Sequence, residues 1–462
     1  MLKSAPLPNA FSRPRPEPGP MRDGGTAATA GAEQSLAERL FLCFAFLVLQ
    51  GAFVGLASSA ETGDVASGTD LPHMLAFLLL VLGTVFFAHK HLDELFRGVA
   101  ANVAFFVLPS ILIVSAIWSV EPSLTLKRSI LALAVCGFDL YVATKVGLDR
   151  LLKLLSITIF IAAVASAVVA IAVPNLGREI SEGLIGDWRG VFPQKNALGQ
   201  VISVGVFIEM ALMIRAHRIL LWSVVKIGLL TLLLAMAGSA SSILSALLTI
   251  VVSVIYVSYR QGAVGIVLCG LVMVAIAVLL GSIAASDINF LFGALDRDAT
   301  LTGRTELWVY VERAIQERPL LGWGYEAFWT PDSNNMTYIQ NQIHWGVPNS
   351  HNGYLELTLA LGFVGVGGLA IMVLWALKRI FLLVRKRDDL GAMLLIVTIQ
   401  FLDANFTESS MINGSVFIWN VFAIFGLKAG IALRQRPIMS GRGFQSVPIL
   451  KRAKPRPSSG PS

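Results

Sequence analysis

Residues 151–173 read LLKLLSITIFIAAVASAVVAIAV, and Lys153 is the one charged side chain among them. A helix rises about 1.5 Å per residue and needs roughly 20 apolar residues to cross the hydrocarbon core of a bilayer. The stretch therefore predicts a transmembrane helix rather than a buried core helix. Similar apolar runs lie at 38–60, 71–88, 99–118, 124–143, 197–214, 219–237, 240–257, 262–285, 352–377, 390–404 and 415–433. The fold class expected is an all-α polytopic membrane protein with about twelve transmembrane helices. Composition points the same way. Of 462 residues, 55% are hydrophobic and 14% charged, against about 25% charged in soluble domains. A soluble helical protein with an unusually apolar core is the competing reading, and long runs recurring along the chain argue against it.

Residues 1–37 contain FSRPRPEPGPMRDGG (11–25), and residues 434–462 are basic and rich in Pro, Ser and Gly. Both read as disordered tails. The formal net charge is +7, but the basic residues gather at helix ends and in the tails. That is the distribution of a cytoplasmic membrane face, and no nucleic-acid partner is expected. Cys43, Cys136 and Cys269 each fall inside an apolar run, as small buried side chains rather than a disulfide or metal set.

Charge also orients the spans. With the amino terminus inside, the even-numbered spans end near His89-Lys90, Lys145 and Arg150, Arg215 and Arg218, Arg260, Lys378-Arg379 with Arg385-Lys386-Arg387, and Arg434 with Arg436. Opposite connections carry Glu61, Asp64, Asp70 and Glu121. This alternation predicts that both termini are cytoplasmic. Lys127 and Arg128 depart from it, close to the outer end of span four. The organisation expected is a tail at 1–37, membrane helices one to nine over 38–285 with an outer connection at 174–196, a large outer loop at 286–351, helices ten to twelve over 352–433, and a tail at 434–462.

The chemistry-bearing residues gather in the two outer connections. In TGRTELWVYVERAIQERP (302–319), Thr302 can cap a helix, Leu307, Val311 and Ile315 recur at four-residue spacing, and Pro319 ends it. Arg304 near its start is either a solvated or headgroup-bound charge or an anion ligand. In RPLLGWGYEAFW (318–329), Gly322 and Gly324 permit a bend before an aromatic group. Trp323, Tyr325 and Trp329 there are either interfacial anchors or stacking surfaces. HWGVPNSHNGYLE (344–356) sets His351 at the mouth of a span. Its imidazole is either a polar interfacial group or a base that takes a proton from a substrate hydroxyl. Asn352 beside it forms a turn with Gly353 or contacts substrate, and His344, in mid-loop, is the weaker candidate. In DWRGVFPQKN (187–196), Arg189 and Lys195 either snorkel to headgroups or hold a pyrophosphate, through a guanidinium fork and a compact ammonium. Gln200, inside a span, predicts an inward-facing surface. There is no HExxH, no CxxC and no GxxxxGK[ST], so no metal and no cofactor is expected, and the energy for a reaction must arrive in the substrate.

Taken in order, GRTELW (303–308), RPLLGWGYEAFW (318–329) and SHNGYLELTLALGFVG (350–365) resemble the O-antigen ligase and polysaccharide polymerase superfamily of bacterial inner-membrane proteins. Within it, the chain looks most like the succinoglycan-type exopolysaccharide polymerases. The resemblance implies a multi-span helical protein with a large periplasmic loop containing short helices. It implies transfer of glycan from an undecaprenyl-pyrophosphate carrier to an acceptor glycan, with polysaccharide export and chain-length machinery as further partners. His351 and Arg304 stand at motif positions that are functional in the ligases, and Arg189 and Lys195 resemble a basic pair there less closely. Trp323, Tyr325, Trp329 and Asn352 would contact glycan. One departure is AGSASSIL (237–244), a turn where many relatives carry a basic residue and this chain has none. An exopolysaccharide polymerase is the favoured reading. An O-antigen ligase acting on lipid A-core and a lipid-linked glycan transporter are the alternatives, the last lacking a matched pair of broken spans in its two halves.

Overall fold

The computed structural model describes residues 35–53, 71–180, 186–261, 304–330, 334–343, 346–411 and 416–435. The apolar run 262–285, Thr302, His344 and nearly all of both tails lie outside the described residues. The helices are α1 (Leu36–Leu49), α2 (Leu71–Ala88), α3 (Leu92–Ala101), α4 (Val103–Val114), α5 (Pro122–Lys145) and α6 (Leu148–Ala172). They continue with α7 (Lys195–Ala216), α8 (Leu221–Ala237), α9 (Ala240–Gln261), α10 (Arg304–Glu317) and α11 (Asn334–Ile343). The last three are α12 (Gly353–Arg385), α13 (Asp389–Thr407) and α14 (Phe417–Gln435).

The span count needs correction. Among the described residues, seven helices are long and apolar enough to cross a membrane: Met74–Ala101, Leu148–Ala172, Lys195–Ala216, Ala240–Tyr259, Gly353–Arg385, Asp389–Thr407 and Phe417–Gln435. The expected figure of about twelve counted apolar runs without asking how much of each run is one helix. In the described part of the run 38–60, which reaches Phe53, α1 ends at Leu49 after 14 residues, too few for a span. The run 99–118 is interrupted at Asn102, which leaves helical angles and donates its amide to the Gly98 carbonyl at 2.9 Å. The run 219–237 yields the 17 residues of α8. Helix α5 has 24 residues but carries Lys127, Arg128, Asp139 and Lys145.

The helix ends form two groups. At one end Lys145 meets Glu94 at 2.9 Å, and Arg215 meets Asp149 at 2.9 Å and Asp389 at 3.5 Å. At the other, Lys195 at the start of α7 reaches the Gly238 carbonyl between α8 and α9 at 3.4 Å, and Asn196 reaches Glu408 beyond α13 at 2.7 Å. Between the ends, α9 turns a row of buried hydroxyls toward α7 and α13. Ser245 donates to Asp403 at 2.6 Å, while the Gln400 amide donates to Thr249 at 2.7 Å and to the Ser203 carbonyl at 3.0 Å. Such bonds hold helices together where water cannot compete.

Among the described residues, no separate large helical loop stands over the bundle, which corrects the second part of the expected fold. The described part of the 286–351 connection is built into the bundle. Helix α10 buries Leu307, Val311 and Ala314, each Leu or Val contributing roughly 1.5–3 kcal/mol on leaving water. They pack with Trp323, Phe328, Ile339, Ile343, Val347 and Leu359 of α12. The stretch 319–324, which opens in a turn, then runs along α12 where that helix is broken. Gly362 there has φ 58° and ψ −158°. The amides of Trp323 and Gly324 donate to Leu359 and Ala360, and those of Phe363 and Val364 donate to Pro319 and Leu320, at 2.8–3.2 Å. Backbone groups released by the break are thereby paired inside protein, as membrane depth requires. The approach is close enough to demand glycine. A Cβ on Gly322 would lie 2.5 Å from the Ala360 carbonyl carbon, and one on Gly362 would lie 2.3 Å from that of Leu320.

Candidate functional site

The span mouth around His351 is fixed by a set of local bonds. Asn352 caps α12, its side-chain oxygen accepting from the amides of Tyr354 and Leu355 at 3.0 and 3.2 Å. His351 itself has φ 49°, a left-handed conformation uncommon for a residue with a Cβ. Its amide donates to Asn349 Oδ1 at 2.9 Å. The backbone thus leaves α12 in a sharp turn that directs the imidazole toward the end of α13.

There it meets Glu408. His351 Nδ1 lies 3.5 Å from one carboxylate oxygen, Arg304 Nη2 lies 3.2 Å from the other, and the Asn196 amide donates to that second oxygen at 2.7 Å. The side chains of His351, Arg304 and Glu408 are 13%, 16% and 15% exposed, so the charges are mostly withdrawn from water. Burial alone would raise the Glu408 carboxyl. The hydrogen bond and charge of His351, the charge of Arg304 and the Asn196 bond outweigh it and hold the carboxyl below its ordinary range. Arg304 also donates to the Thr407 carbonyl, placing a cation where the negative end of the α13 dipole needs one. Four segments therefore converge: the starts of α7 and α10, the turn before α12 and the exit from α13.

The other sequence candidates lie as follows. Lys195 pairs with Asp187 at 2.8 Å and touches the Gly238 carbonyl. A cation thus stands against the AGSASSIL turn that lacks one of its own. Arg189 folds onto its own connection, donating to the carbonyls of Leu176 and Pro193 at 3.1 and 3.2 Å. Trp323 and Tyr325 are buried at 8% and 6% exposure. The Trp323 indole donates to the Ala314 carbonyl, and Arg318 stacks on its ring at 4.3 Å. Trp329 donates to both oxygens of Glu356 at 3.0 and 3.1 Å. Gln200 faces inward, as expected, and bonds Ser410 at 2.8 Å. Arg128, outside the charge pattern, pairs with Glu326 at 3.3 Å and donates to its carbonyl at 2.7 Å. Among the described residues, no group of three or more His, Cys, Asp or Glu could hold a metal.

Glu408 is the member that sequence reasoning missed. It sits in a polar stretch, Thr407 to Ser410, between two apolar runs. That position at a span end was the signal available for it.

The profile of the O-antigen ligase family matches residues 225–370. That window holds Arg304, the 318–329 segment and His351 in their observed order. Over this segment the chain is similar to the O-antigen ligase family. Exopolysaccharide production protein ExoQ of Rhizobium meliloti is 25% identical over 291 residues, which are 60% of this chain and 65% of that protein. The chain spans just under two thirds of the length of this curated relative. Asn196 and Glu408 lie outside the family window, so the fold, not the motif, adds them to the site.

Proposed function

We propose that this protein is an exopolysaccharide polymerase, a glycosyltransferase of the bacterial inner membrane acting at the periplasmic face. It would transfer glycan repeat units from an undecaprenyl-pyrophosphate carrier to an acceptor glycan. The observation that carries the reading is the convergence of His351 and Arg304 on Glu408, in a chain whose residues 225–370 match the O-antigen ligase family. The name of the relative, an exopolysaccharide production protein, favours polymerase over ligase. In the proposed step an acceptor hydroxyl attacks the anomeric carbon, and the bond from that carbon to the pyrophosphate oxygen breaks with its electron pair. The hydroxyl proton passes to His351, held in place by Glu408. Arg304 offsets charge gathering on the departing pyrophosphate. A single displacement of this kind inverts the anomeric centre. Arg189 and Lys195, at the same end of the bundle, are proposed to contribute positive potential to the donor's headgroup.

The test is Arg304→Lys. It keeps the charge and loses the fork that reaches both Glu408 and the Thr407 carbonyl. Turnover of purified lipid-linked repeats is expected to fall at least about tenfold, the loss of one to two charge-assisted hydrogen bonds. Wild-type turnover and donor affinity would remove Arg304 from the mechanism. Orientation is checked separately. Reporter fusions after Gly346 are expected to signal periplasm, and fusions after Arg387 to signal cytoplasm. Reversed signals would place the site on the wrong side for a carrier-linked donor exposed to the periplasm.

A further inference from the structure

We infer that Glu356 is a positioning residue for His351, acting through the Ser350 peptide and held in place by the indole of Trp329. The inference rests on the role proposed for His351 above.

Glu356 lies one turn into α12, on the side of the helix from which the chain enters. Its carboxylate reaches back past the N-cap, where Oε2 accepts from the Ser350 amide at 2.8 Å. The Trp329 indole donates to both oxygens at 3.0 and 3.1 Å, fixing the carboxylate further. Ser350 is held at its carbonyl and hydroxyl as well. Its carbonyl accepts from the Trp308 indole at 2.9 Å, and the Ser350 hydroxyl donates to the Asn352 carbonyl at 2.9 Å. Ser350 is fully buried.

These bonds hold the two peptides that flank the Ser350 Cα, the second of which immediately precedes His351. A left-handed conformation at a residue other than glycine is strained and persists when its neighbours over-determine it. Glu356 and Trp308 supply that constraint, one on the N–H and one on the C=O of the residue before. Trp308 also stands one turn after Arg304 on α10, on the same face of the helix. The helix that carries Arg304 to Glu408 is therefore the helix that holds the carbonyl beside His351. The assembly sets the imidazole and the guanidinium on the same carboxylate together. Glu356 need not touch substrate for this, and its bonds with Ser350 and Trp329 occupy both of its oxygens.

Displacement of a catalytic group by about 1 Å can cost about 10²-fold in rate. Glu356→Leu is expected to lower kcat about 10- to 100-fold while KM for the carrier-linked repeat and donor affinity stay within twofold of wild type. Glu356→Gln, which keeps an acceptor for the Ser350 amide, is expected to recover most of that loss. A variant damaged only in its folding would lose active protein without this split, and the conservative variant would not restore kcat per folded molecule. Wild-type kcat for Glu356→Leu at matched folded protein overturns the inference, as does a loss carried by KM. Should Glu356→Leu fail to accumulate, the double variant Glu356→Gln/Trp329→Phe decides. Reduced kcat at unchanged KM supports the positioning role, and wild-type kcat removes it. His351→Ala is assayed alongside. If it is active, the reading of His351 fails. If it is nearly inactive while Glu356→Leu turns over normally, only the positioning role fails.

Discussion

His351→Ala is expected to insert and fold at wild-type levels, to bind the lipid-linked donor, and to turn over about 10²–10⁴-fold more slowly, the usual contribution of a general base. Three features of its surroundings support so large an effect. The backbone at His351 is left-handed with φ 49°, so the imidazole's direction is set by the fold and not by side-chain rotation alone. The Asn349 side chain accepts the His351 amide, and the Asn352 cap fixes where α12 begins. Glu408 lies 3.5 Å from Nδ1, where a carboxylate can orient the ring and balance the charge it gains with a proton. Removing the imidazole removes none of the backbone bonds that define the turn, so the fold should be preserved. The measurement is chain length in a reconstituted assay with purified carrier-linked repeats, followed over a pH series, with lipid A-core as a competing acceptor. Polymer close to wild type at matched protein level would return His351 to a purely interfacial role. Transfer to lipid A-core in preference to the repeat would make the enzyme a ligase. His344→Ala in the same assay is expected to be much milder.

How far the sequence could carry this site depended on whether its members lie on one motif. His351 and Arg304 belong to local patterns, a capped span mouth and a helix start, and both were legible. Glu408 is joined to them only by tertiary folding. It follows α13, while Asn196 opens α7, and no spacing rule relates these helices to residue 351. The aromatic cluster shows the opposite difficulty. Trp323 and Tyr325 in an outer connection resemble a glycan surface when the connection is pictured as free-standing. The break at Gly362 draws 319–324 against α12, and both rings are buried. The span count erred for a related reason. Hydropathy registers where a chain is apolar, but Asn102 interrupts one run and α1 stops at Leu49. Neither event changes the average apolarity of its surroundings. What hydropathy does give is the class, since α6, α7, α9, α12, α13 and α14 each overlap a run identified by it.

Glu408→Gln is expected to be the second most damaging change, with turnover falling on the order of 10²–10³-fold, as when the orienting acid beside a catalytic histidine is lost. An acid just past the end of a helix faces the negative end of the dipole and is disfavoured there. Glu408 is retained in that position with Arg304 at 3.2 Å and Asn196 at 2.7 Å on one oxygen, and His351 on the other. The glutamine keeps an acceptor for Asn196 but presents an uncharged end to two groups that need an anion. Arg304 would keep its bond to the Thr407 carbonyl, and His351 would lose its fixed orientation. The same substitution has a signature in stability. Because the partners outweigh burial and hold the folded carboxyl below its ordinary range, the ionised form is favoured in the folded protein. That contribution is fully present above the unfolded value, about 4.3, and is lost as pH falls through the lower folded value. Thermal stability of wild type in detergent should therefore exceed that of Glu408→Gln at about pH 5, and the margin should close as pH falls below about 4.3. Turnover near wild type in the variant would show that His351 and Arg304 work without a shared anion. A margin that closes above pH 5 would mean that the carboxyl is governed by its burial and not by the two cations.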